Sequence, residues 1–208
     1  MLDLPSLAAS KCSIRKFPIA NKLRAAMAEV YDDKVTVCGG RDEEYSNSCF
    51  SLQQGHWEPG PTLLVPRAYG ASVIQPDGSL WISGGSKSFS DYLSSSEILT
   101  SGSSIWAKGP ELPTPVSFHC MLQFNSSHTF FAGGYSDAGS YSEAYFYYDG
   151  IFHPLSEMLT PRSHHMCARY RGEIILAGGW HPGFDYMETV EIFNPELNRW
   201  RTGLKYFY

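Results

Sequence analysis

The chain has 208 residues and a formal net charge of −5, and only 18% of its residues are charged. That length admits a sizeable core. A weakly acidic balance without any Lys/Arg cluster excludes the basic footprint of a nucleic-acid binder or of a protein held on an anionic membrane surface, and no apolar run nears the roughly 18 residues that span a bilayer.

The opening stretch MLDLPSLAASKCSIRK lacks the basic n-region and long apolar h-region of a secretory leader. In KCSIRKFPIANKLR, Ile14 precedes Arg24 by ten residues, the separation of Trp57 from Arg67. Residues 1–23 are therefore expected to hold the outer strand of an additional unit. From there the chain repeats. KVTVC runs into Gly39-Gly40, SLWIS into Gly84-Gly85, HTFFA into Gly133-Gly134 and EIILA into Gly178-Gly179, at spacings of 45, 49 and 45 residues. Before each doublet lies turn chemistry, YDDK, QPDGS, FNSSH and YRGE, of the kind that joins hairpin strands. After it come a tyrosine (Tyr45, Tyr92, Tyr141, Tyr186), a strand-like run (CFSL, SEILT, EAYFYY, TVEIF) and a bulky aromatic (Trp57, Trp106, Phe152, Trp200). Glu97, Glu143 and Glu191 fall at similar phase, as do Arg24, Arg67 and Arg162, with Ser117 in the arginine's place in the remaining unit.

Self-similarity at this period signals a propeller or solenoid. Four short antiparallel strands per unit, with nothing resembling a crossover helix, predict an all-β propeller of about four four-stranded blades, at residues 24–66, 67–116, 117–161 and 162–208. The pattern resembles the kelch repeat: a strand closing on Gly-Gly, a spaced Tyr and Trp, a Glu-bearing third strand, and Pro-Arg opening the next unit. It covers nearly the whole chain. The resemblance implies a kelch-type β-propeller in which the doublets, the aromatics and the arginines Arg67 and Arg162 are structural. Kelch propellers usually have more blades than four. Four alone leave two blade faces uncovered, so further blades or self-association are expected to complete the ring.

Function in such a fold sits on its loops. The loops RDEEYSN, SKSFSDYLSS, YSDAGSYS and WHPGFDYME mix carboxylates with tyrosine. Their candidate binding residues are Asp42, Glu43, Tyr45, Asp91, Tyr92, Asp137, Tyr141, Asp185 and Tyr186. Rigid amphipathic tyrosines beside acidic groups suit a partner protein with a basic component. The resemblance likewise implies a non-enzymatic interaction module of the adaptor or scaffold kind, with no cofactor. Carbohydrate binding through the tyrosines is an alternative, and a copper oxidoreductase of galactose-oxidase type another. The adjacent His164 and His165 point to opposite sides of a strand, and no Tyr/His set has a spacing that demands a metal.

Five cysteines leave at least one thiol unpaired within the chain. Cys38 ends one strand and Cys49 begins its neighbour, so they form either a disulfide or two buried thiols. Asn125-Ser126-Ser127 is a glycosylation sequon on a predicted turn. A complete chain without a leader would be cytoplasmic, whereas a piece of a secreted parent would be extracellular.

Overall fold

A computed structural model describes residues 23–183 and 185–203. The expected N-terminal strand around Ile14 lies outside them, as does Cys12.

Each repeat is an antiparallel meander. The first blade is β1 (Met27–Tyr31), β2 (Lys34–Cys38), β3 (Cys49–Gln53) and β4 (His56–Pro59), paired in that order. The second is β5 (Ala71–Ile74), β6 (Leu80–Ser83), β7 (Ser96–Leu99) and β8 (Ala107–Lys108). In the third, β9 (Cys120–Gln123) and β10 (Thr129–Ala132) are followed by a small hairpin, β11 (Tyr135–Ser136) and β12 (Gly139–Ser140), before β13 (Ala144–Tyr148) and β14 (Ile151–Pro154). The fourth repeats this plan: β15 (Met166–Tyr170) and β16 (Glu173–Ala177), the hairpin β17 (Trp180–His181) and β18 (Asp185–Tyr186), then β19 (Val190–Asn194) and β20 (Arg199–Thr202). The β1–β2 connection turns on Asp32 and Asp33, both left-handed at φ 47° and 59°. That geometry matches the strand twist and explains the choice of Asp.

The inner strands β1, β5, β9 and β15 pack each on the next, whereas the outer strands of neighbouring blades do not approach one another. The sheets are therefore wedges fanned about a common axis. Burial follows position in the fan. Strands β6 (LWIS) and β10 (TFFA) are buried at every residue, because blades two and three are covered on both faces. In β16 burial alternates, and in blades one and four Val30, Val35, Met166 and Tyr170 are exposed. Three apolar clusters fill the seams. Met27, Leu63, Ile82 and Trp106 lie in the first, Trp81, Val116 and Phe131 in the second, and Phe130, Phe146, Ile174 and Phe193 in the third.

The glycine doublets sit at these seams. The second glycine donates its N–H to the carbonyl of the residue that opens the next blade: Gly40 to Arg67 at 2.8 Å, Gly85 to Val116 at 2.8 Å, Gly134 to Arg162 at 2.9 Å. A Cβ on Gly133 would stand 2.5 Å from the Arg162 carbonyl oxygen, so only glycine allows the approach. Gly178 and Gly179 follow β16 in blade four, and no described residue supplies the corresponding carbonyl.

These bonds also correct the repeat phase. Arg67, Val116 and Arg162 are equivalent, so Val116, and not Ser117, replaces the arginine. Arg24 pairs with Arg41 as Ala68 does with Ser86, which places it one residue after the arginine position. Strand register likewise aligns Glu97 and Glu191 with Tyr145, not Glu143.

In blades two and four the equivalent charges meet. Arg67 and Glu97 lie 2.8 Å apart, with side chains 0% and 2% exposed, and Arg162 pairs with Glu191 in the same way. Glu97 also accepts the N–H groups of Leu64 and Val65, and Glu191 that of Leu159. Each pair thus ties the incoming linker to its own blade. The indole N–H groups of Trp106 and Trp200 fasten the same linkers at the carbonyls of Pro61 and Ser156. Blade three exchanges the whole clamp: Val116 for arginine, Tyr145 for glutamate, Phe152 for tryptophan, and Pro113, which has no N–H, for Leu64 or Leu159. No buried charge is left without a partner by this exchange.

Cys38 and Cys49 face each other across β2 and β3 and form a disulfide with Cα atoms 4.0 Å apart. A second disulfide, Cys120–Cys167, spans 6.0 Å between Cα atoms and joins the inner strands of blades three and four.

Candidate binding face

At the start of each inner strand one residue adopts a left-handed backbone: Ala25 (φ 56°), Tyr69 (62°), Phe118 (58°) and His164 (57°). For a bulky L-residue this costs about 1–2 kcal/mol. A hydrogen-bonded ladder around the axis holds the conformation: Tyr69 N–H donates to the Ala25 carbonyl, Phe118 N–H to that of Tyr69, and His164 N–H to that of Phe118, at 3.0, 2.8 and 3.0 Å. The same ladder stacks the side chains. Ring centres lie 4.5 Å apart for Tyr69 and Phe118, and 3.7 Å apart for Phe118 and His164.

A second row comes from the residues that follow the doublets, Arg41, Ser86, Tyr135 and Trp180, each bridged to the start of an inner strand. His164 lies 6.5 Å from Trp180, Trp180 5.9 Å from Tyr135, and Tyr135 6.0 Å from Tyr92. The rings therefore form a continuous track from Tyr69 through Phe118, His164, Trp180 and Tyr135 to Tyr92, crossing three blades. At its far side the Arg41 guanidinium covers the Phe89 ring at 4.4 Å and the Tyr45 ring at 5.3 Å.

The sequence-predicted residues distribute unevenly about this track. Tyr92 is a half-buried member of it, Tyr45 is half-buried beneath Arg41 at its far side, and Tyr186 is 82% exposed on β18 opposite Trp180. Burial, reinforced by Asp137 and then by Tyr135 and Tyr45, pushes the Tyr92 hydroxyl up from its ordinary range. Glu43, Asp137 and Asp185 are exposed and Asp42 is half-buried. Asp91 is engaged by Lys87 at 3.1 Å. Tyr141 departs from expectation. It lies one residue after the position equivalent to Tyr45 and Tyr92, which Ser140 occupies. Its hydroxyl bonds Ser136 Oγ, and it lines a small recess with Val116, Tyr145 and Phe152 where the other blades hold their clamp. Sequence reasoning missed Arg41, Phe89, Tyr135, Trp180, Tyr69 and Phe118. Repeat phase carries a signal for most of them, since Tyr135 and Trp180 directly follow doublets, and Tyr69 stands two residues after Arg67.

No family model matches the sequence, and no curated protein matches it. Among solved structures, that of YjhT superposes with a TM-score of 0.74 over 86% of this chain and 68% of the YjhT chain, at 13% identity. The fold is a β-propeller. At that identity the likeness extends to the fold alone.

His119 and His165 are buried inside the seams. His119 Nε2 lies 3.0 Å from Ser83 Oγ, and burial pushes its pKa down to about 4. Burial, with Arg162 nearby, takes His165 down to about 3. Ser163 Oγ lies 3.0 Å from His164 Nδ1, but Ser163 is fully buried beneath the track. Among the described residues no group of three or more His, Cys, Asp or Glu could hold a metal ion.

Proposed function

We propose that the blades are kelch repeats and that the propeller is a non-catalytic interaction module, an adaptor or scaffold whose aromatic track takes a basic segment of a partner protein. The observation that carries this reading is the unbroken chain of rings from Tyr69 to Tyr92, edged by the carboxylates Asp42, Glu43, Asp137 and Asp185. Aromatic faces attract Arg and Lys through their quadrupoles, and the surrounding carboxylates speed and orient encounter. The strained backbone beneath Tyr69, Phe118 and His164 fixes these rings before a partner arrives, which reduces the ordering cost of binding.

The test is titration of Arg/Lys-rich peptides against the chain and its Trp180→Ala and Tyr92→Ala variants. Loss of either aromatic is expected to weaken binding about thirtyfold, the hot-spot scale. The interaction should also weaken with salt. Wild-type affinity in both variants would overturn the proposal. The exposed Tyr186 ring beside Trp180 also suits a sugar face, the carbohydrate alternative. Salt-insensitive retention on a glycan array, lost in Tyr186→Ala, would select that reading.

A further inference from the structure

The structure assigns Asn125 as an N-linked glycan site and places folding of the chain in an oxidising secretory compartment. Three independent observations converge. First, Asn125, Ser126 and Ser127 are all exposed on the turn between β9 and β10. Asn125 Oδ1 accepts the N–H groups of Ser127 and His128, both at 2.9 Å, and the Ser127 hydroxyl at 3.1 Å. All three bonds polarise the carboxamide through its oxygen and leave Nδ2 free to react. Second, four of the five cysteines are paired in Cys38–Cys49 and Cys120–Cys167. Persistent bridges belong to compartments that do not reduce them. Third, the turn is at the blade end opposite the loops of the aromatic track, so a glycan there leaves that face clear. Beside the turn, the rings of His128 and Tyr148 lie tilted with centres 4.4 Å apart and those of Tyr148 and His153 stack at 3.8 Å; with Asn125 they line an open pocket in which a first sugar ring can rest.

In the transfer, Nδ2 loses a proton and forms a C–N bond to the anomeric carbon of a lipid-diphosphate-linked oligosaccharide. The anomeric C–O bond breaks, and the lipid diphosphate departs with its electron pair. Each disulfide forms as two thiols pass two electrons and two protons to a disulfide oxidant of the same compartment. The inference is independent of the partner proposal.

The experiment takes the protein from its natural source. It combines glycan-amidase release in heavy-oxygen water with peptide mapping under non-reducing conditions. A labelled aspartate at position 125 and cross-linked Cys38/Cys49 and Cys120/Cys167 peptides are expected. An unmodified Asn125 overturns the glycan assignment, and alkylatable thiols at those four cysteines overturn the compartment. In glycosylating cells with a secretory leader, Ser127→Ala should lose one glycan mass while Ser127→Thr retains it. Retention in Ser127→Ala, or loss in a folded Ser127→Thr, would also overturn the site.

Discussion

Gly133 and Gly178 occupy one position in consecutive blades, but their surroundings differ. A Cβ on Gly133 would meet the Arg162 carbonyl oxygen at 2.5 Å and His165 Cε1 at 2.7 Å, whereas on Gly178 the nearest atom is the Met187 carbonyl oxygen at 3.5 Å. Both glycines are left-handed, at φ 61° and 66°. Gly178→Ala is expected to cost about 1 kcal/mol, the backbone term alone. Gly133→Ala should cost about 3 kcal/mol, because overpacking adds to it. Urea denaturation of the two variants checks the difference. The buried histidines make a second prediction at this scale. His119 and His165 titrate near 4 and 3 when folded, against 6.5 for an ordinary imidazole. Between pH 6.5 and about 4 the unfolded chain binds more protons, so stability present above 6.5 is lost as pH falls through that window. At pH 5 the loss is on the order of 2 kcal/mol for each histidine. Denaturation midpoints at pH 7.5 and 5 measure it, and His119→Phe should flatten the slope.

The arginine–glutamate clamp is the clearest unit at the level of the element. Arg162→Val leaves Glu191 buried without its partner, and a loss of about 3–5 kcal/mol is expected. Arg162→Val with Glu191→Tyr copies what blade three does with Val116 and Tyr145, so the double variant should be more stable than the single one. A double-mutant cycle in urea tests this. The clamp also shows where sequence reading stops. Glycine doublets, turns and aromatics recur visibly because each meets a local backbone or packing demand. Phase within a blade does not, because loops of unequal length absorb residues between fixed strands. Tyr141 and Glu143 look in phase by spacing, but the hydrogen bonds of Gly133 and Gly134 align Ser140 with Tyr45 and Tyr145 with Glu97. The aromatic track escaped for the same reason: Tyr69, Phe118 and His164 are unremarkable singly and meaningful only as the same left-handed rung of successive blades.

Across the whole molecule, the second disulfide fastens blade three to blade four over a sequence separation of 47 residues. It was invisible in the sequence, because Cys120 and Cys167 meet only once inner strands lie side by side. Replacing both by alanine is expected to remove about 4 kcal/mol of stability, measured by urea unfolding without reductant. Blade architecture, by contrast, was legible over the described residues, since each of their wedges repeats the same pattern of strands and corners.

Among the described residues no carbonyl answers the N–H of Gly179, which gives the described arc a polarity. Its trailing rim presents a donor where the preceding rims have theirs answered by a carbonyl, so two such rims placed face to face would oppose donor to donor. A two-fold handshake through that rim leaves both donors unanswered. A directional, head-to-tail neighbour brings the acceptor that the inner seams use.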